Sequence, residues 1–127
     1  MKAIIIYFFL LITTIGCSNR NEENQYIGTW KLTQSLVSDG TSNPPTWQNV
    51  TNGYTIVLNS NGTFTTSQFT DCNAGNFSVA NNIITLIYSC GNNTIPNKFK
   101  IVSISDSELI LSNINCDEEC KDKFVKQ

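Results

Sequence analysis

The stretch "YIGTWKL", Tyr26 to Leu32, decides the fold. A glycine stands two residues before a tryptophan, and the tryptophan opens a strict alternation. Trp30, Leu32, Gln34 and Leu36 alternate with Thr29, Lys31, Thr33 and Ser35. A period of two belongs to a half-buried β-strand, with Gln34 the one polar residue on the inner face. Downstream the same rhythm recurs: Tyr54, Ile56 and Leu58 share a face, then Ile84, Leu86 and Tyr88. "NSNGT", Asn59 to Thr63, and Asn81-Asn82 are hairpin turns, because Asn and Gly tolerate positive φ. Further strands are expected at Thr63 to Phe69, Asn76 to Ala80, Lys98 to Ile104, Glu108 to Ile114 and Lys123 to Lys126. No helical period competes with them.

These segments make eight strands, each followed by its antiparallel neighbour. Such a series suits an all-β, up-and-down antiparallel barrel, whose closure leaves no open edge; a two-sheet sandwich is the alternative. One connection is long: Ser38 to Gly53, "SDGTSNPPTWQNVTNG", reads as a loop.

Upstream of the first strand the composition changes. Met1-Lys2 is followed by the apolar run "AIIIYFFLLI" and by "TTIGC", ending at Cys17. A short positive start, an apolar core and a small residue before a cleavage site make a secretory leader. The run is too short for a transmembrane span, which needs roughly 20 residues. A Cys directly after Gly16 resembles a bacterial lipobox, although Thr14 stands where that signal carries an aliphatic residue. The resemblance implies cleavage before Cys17 and acylation of that residue, palmitate among the chains, with two or three chains giving stable anchoring. Ser18 to Gln25 is polar and is expected to be a flexible tether. Glu22-Glu23 is similar to the surface-export signals of lipoproteins in the Bacteroidetes. The expected organisation is therefore a signal peptide at 1–16, lipidated Cys and tether at 17–25, and a barrel domain at 26–127. Outer-membrane attachment is expected, facing either the periplasm or the exterior.

Gly28 and Trp30 resemble the G-x-W signature of lipocalins. Together with "YTIVLNSNGTFTT", "CNAGNFSVANNIITL" and "SELILSN", the chain is similar to the small lipocalin-like lipoprotein domains of the Bacteroidetes. That likeness implies a Trp packed across the closed end of the barrel and binding of a small apolar molecule. Lipocalins stack an Arg from near the last strand on this Trp. Here the single Arg is Arg20, in the tether, so the stem of Lys121, Lys123 or Lys126 is expected to cover the ring. Trp47, Tyr54 and Tyr88 are the candidate ligand contacts. An eight-stranded barrel is just wide enough to be filled by its own side chains or to hold one small ligand. A filled barrel would act instead as a protein-interaction or envelope accessory module.

Four cysteines follow Cys17: Cys72, Cys90, Cys116 and Cys120. An even number in an exported domain points to disulfides, with three possible connectivities. The Asn81-Asn82 turn sets Ala80 opposite Ile83, which brings Cys72 within one residue of facing Cys90 and leaves Cys116 for Cys120. Zinc is disfavoured because C-x-x-C spacing is absent. There is no His in the chain, and the net charge is −2. These features argue against His-based catalysis and against nucleic acid. A monomer that is not an enzyme, with no cofactor or metal, is the expectation.

Overall fold

The computed structural model describes residues 22–36, 38, 40–117 and 119–127. The leader, Cys17 and the first part of the tether lie outside them. The tether's end, Glu22–Gln25, is a 3-10 turn. Nine strands follow: β1 (Gly28–Leu36), β2 (Trp47–Asn49), β3 (Thr55–Leu58), β4 (Thr63–Thr66), β5 (Ala74–Ala80), β6 (Ile83–Cys90), β7 (Asn93–Ile104), β8 (Glu108–Asn113) and β9 (Lys121–Lys126). From β3 to β9 each strand pairs antiparallel with the next, and β9 returns to pair with β1. β1 has two edges. One takes β9 over Trp30 to Leu36. The other takes β3 along Gly28 to Lys31 and β2 along Gln34 to Leu36. The barrel therefore has eight positions around its circumference, closed as the alternation implied.

The long connection is not all loop: β2 forms within it. Val50 N donates to Thr33 O at 2.9 Å and Leu32 N to Tyr54 O at 2.9 Å, so this segment extends the edge that β3 begins. β7 also starts five residues before the expected Lys98, because Asn93 to Asn97 pair with Leu86 to Cys90. Pro96 obscured that extension in the sequence, since proline removes a ladder donor. Ile101 N donates to Asn82 O, while Lys98 O accepts from Ile114 N. Even-numbered residues in this part of β7 thus turn their backbone groups away from β6. Pro96 shares that parity, and β8 meets β7 only from Phe99 onward. Its missing N–H falls on an open edge.

The turns are those the sequence indicated. Asn81 and Asn82 both adopt positive φ (52° and 59°), and Ala80 pairs with Ile83. At "NSNGT", Gly62 N donates to Asn59 O at 3.0 Å and Asn59 N to Thr63 O at 2.9 Å.

The core explains the G-x-W motif. Trp30 is fully buried and its indole N–H donates to Tyr26 O at 2.7 Å. Leu32, Ile56, Leu58, Phe64, Ile84, Leu86, Leu109, Leu111 and Phe124 are buried around the same centre. β9 enters this core through Phe124, and its Lys126 places Nζ 5.1 Å from the Trp30 ring centre. Of the three candidate lysines, Lys126 takes the place of the lipocalin Arg. Its stem passes over Gly28, where a Cβ would meet Lys126 Cε at 2.6 Å. Gly28 also has φ of 136°, a conformation in which an L side chain is strained. The glycine thus serves the turn and the close approach together.

One expectation about β1 fails. Its alternation breaks at Thr33, where the register to β9 shifts: Leu32 faces Phe124, but Gln34 faces Lys123. This bulge reverses the facing of the strand beyond it. Ser35 and Asp122 turn inward, where the Ser35 hydroxyl donates to Asp122 Oδ1 at 2.5 Å. Gln34 turns outward and donates to Asn49 Oδ1.

Trp30→Ala should destabilise the protein by roughly 3–5 kcal/mol, as truncation of buried aromatics does. Gly28→Ala should cost about 1–3 kcal/mol through backbone strain. Lys126→Ala should cost about 0.5–1 kcal/mol from the lost cation–π contact, and Lys126→Arg should recover it. Urea denaturation of these four variants, with Trp47→Ala beside them as the tryptophan expected to cost less, checks this ranking. A Trp30→Ala loss no larger than that of Trp47→Ala would refute it.

Candidate functional site

The lower barrel has no room for a ligand. The void between Trp30, Ile56, Leu86, Leu109 and Phe124 is about 10 Å³. That is at most the space of one water, and the lining is apolar. Outside the core, a surface hollow of about 220 Å³ lies beside Tyr26, Ile27, Gly62 and Phe77 at the Trp30 end. A larger, more apolar space opens at the other end, where β4 ends, β5 begins, and the β6–β7 ribbon overshoots its neighbours.

The Cys72–Cys90 disulfide shapes this mouth. It ties the β4–β5 connection to the end of β6, closing a loop worth about 3 kcal/mol in the chain-entropy model. The tie holds Phe69 over Tyr88, edge to face, with ring centres 5.7 Å apart. Below, Tyr88 rests on Phe64 at 5.0 Å in the same geometry. Gly75 permits this stack: it pairs with Tyr88, and a Cβ there would meet Ile87 O at 1.9 Å and Phe64 Cε1 at 2.9 Å. Ile95 lies directly across the ladder from Tyr88 and so shares its inward face. Phe69, Tyr88, Ile95, Pro96, Asn97 and the disulfide enclose a cleft of about 330 Å³. Its polar groups are few: the Tyr88 hydroxyl, 3.4 Å from Gln68 Oε1, and the Asn97 amide.

The sequence candidates separate. Tyr88 lines the cleft. Tyr54 sits deeper, edge to face with Phe124 at 5.7 Å, and does not line it. Trp47 lies elsewhere. It pairs with Leu36, beyond the Thr33 bulge, and Lys123 Nζ stands 4.8 Å from its ring centre on the outer wall. There it covers Leu36, which is buried but separate from the core. The bulge, invisible in an alternating pattern, moved this pair from the inner face to the outer. The sequence reading missed Phe69, Ile95 and Pro96 as cleft residues; an apolar Ile-Pro pair next to a cysteine-bounded turn was the available signal. The second bond, Cys116–Cys120, closes the β8–β9 connection, and neither cysteine lines the cleft.

Burial holds the Tyr54 phenol well above its usual pKa, with the Asp122 carboxylate and Tyr88 adding to the effect. Burial also raises Tyr88. In the unfolded chain both ionise near pH 10. A group whose folded pKa is raised contributes stability that is complete below the unfolded pKa and is lost as pH rises past it. Stability should therefore fall above about pH 10, and Tyr54→Phe should flatten that fall while keeping the ring packing. Urea midpoints measured across the alkaline range check the difference; parallel curves would refute it.

The family model for the lipocalin-like domain matches residues 27–111. A crystal structure of a lipocalin-like protein from Bacteroides uniformis is similar at 25% identity, covering 81% of this chain and 99% of that one, with a TM-score of 0.47. No functionally curated protein matches the chain. With more than half of its length matched, on a closed eight-position barrel that opens at Gly28 and Trp30, the chain belongs to the lipocalin-like domain family.

Proposed function

We propose that the protein is a lipid-anchored binding module of the cell envelope that takes a small, largely apolar molecule into the mouth of its barrel. One observation carries the reading. Ile95 is 53% exposed and Phe69 48% exposed, and both border the same apolar cleft beside the buried Tyr88. Wet apolar surface on a concave wall is the feature that a ligand relieves, at about 25 cal/mol per Å² covered. The volume lies at the small end of ligand sites, which run from roughly 300 Å³ upward. The lipocalin-like family supports binding as the use of such a barrel, and the convergent polar groups suit orientation of a ligand better than catalysis. Sheet closure, which leaves few free edges, supports a monomer. Anchoring rests on Gly16-Cys17 behind the apolar run, with outer-membrane attachment as its consequence and no nucleic-acid partner.

A neutral fluorescent probe, N-phenylnaphthylamine, should bind the purified barrel and brighten. Ile95→Asp should weaken it about tenfold or more by setting a charge in the cleft, with its melting temperature little changed because Ile95 is exposed. Trp47→Ala should bind as the parent does. Probe binding unaffected by Ile95→Asp would overturn the assignment of the cleft. For the anchor, Cys17→Ser expressed with its leader should leave the membrane fraction and incorporate no labelled palmitate. A variant that still partitions into membranes after leader removal would refute lipidation.

A further inference from the structure

We infer that the ligand carries a positively charged or hydroxylated head and that the site discriminates against carboxylates; this rests on the mouth reading above. Beyond Phe69 lies a second hollow of about 400 Å³, bordered by Gln68, Phe69, Thr70, Asp71 and Cys72. The two spaces share Phe69 and Cys72, so they adjoin along these residues, the second being an open depression on the 68–72 loop. Their chemistry differs. The first compartment offers Tyr88, Ile95 and Pro96. The second offers an amide, a hydroxyl and the carboxylate of Asp71. Among the described residues, no Lys or Arg borders either compartment, and the ion pairs Lys121–Glu119 and Lys123–Glu108 lie elsewhere.

An amphiphile fits this division. Its apolar tail lies along Tyr88 and Ile95, and its head crosses Phe69 to reach Asp71. A carboxylate head would meet Asp71 with like charge and find no cation. An ammonium head would find the carboxylate and the face of the half-exposed Phe69 ring, the pairing that recognises quaternary ammonium groups. The geometry also assigns Phe69 a role in specificity: held over Tyr88, it fixes where the tail ends and the head begins.

The test is displacement of N-phenylnaphthylamine by three amphiphiles of equal tail: decyltrimethylammonium, decanol and decanoate, each below its micellar concentration. The ammonium should displace the probe at about one-tenth the concentration that decanoate needs, attraction and repulsion each supplying a few-fold at an exposed site. Added salt should shrink that ratio. Asp71→Asn should bring ammonium and carboxylate within about twofold of each other, leaving decanol unchanged. Decanoate competing as well as the ammonium, or a preference that survives Asp71→Asn, would overturn this inference while leaving the mouth reading intact. Failure of the neutral probe and of decanol to bind at all would overturn both.

Discussion

Lys126 lies across Gly28 and rests its ammonium on the face of Trp30. The contact joins the first strand to the last, residues nearly the whole domain apart, and exists only when β9 has paired with β1. Everything else depends on that closure. It buries Phe124 beside Trp30 in the lower barrel, and it removes the two edges an open sheet of this length would present. A fully buried indole with its N–H satisfied by Tyr26 O gives the closed end a rigid plug. The interior around the plug keeps almost no free volume, and the apolar cleft of about 330 Å³ lies at the opposite end.

At that end the constraints are looser and covalent. The β4–β5 connection is tied to strands at its ends, Ser67 to Thr55 and Asn73 to Thr66, and the Cys72–Cys90 bond holds it against the end of β6. Rings are then stacked from the core outward: Phe64 under Tyr88, Tyr88 under Phe69. Burial falls along this series, from a fully buried ring to one about half exposed, so the stack runs from the core out to the wall of the candidate cleft. The β6–β7 ribbon supplies the facing wall because it runs beyond β8. Pro96 sits on its open side, where a missing donor costs no hydrogen bond and discourages further strand addition.

Much of the barrel was legible in the chain. The period-two alternation, the Asn-rich turns and the Gly28-Trp30 pair located seven of the eight barrel strands within a few residues and predicted closure. The Ala80–Ile83 pairing was enough to match Cys72 with Cys90, since hairpin register is a local property. β7 was truncated in the reading because Pro96 looks like a stop, and β2 was missed because three strand residues in a proline-bearing loop carry no period. The site was less legible. Tyr88 was found through its alternation, whereas Phe69 and Ile95 lie outside recognisable inner-face patterns and become neighbours only through the disulfide and the ribbon overhang.

The sequence by itself determined the all-β class, the hairpin turns, the disulfide pairing and the residue at which the barrel begins. Each of these follows from side-chain alternation or from short-range backbone preference. Only the tertiary structure decided which lysine covers Trp30, which face carries Trp47, and where free volume remains. The first depends on the stagger of β9 against β1. The second depends on a one-residue bulge at Thr33, which reverses facing without altering composition. The third depends on how completely side chains from distant strands fill a common interior. These are properties of non-local pairing, and no local pattern encodes them.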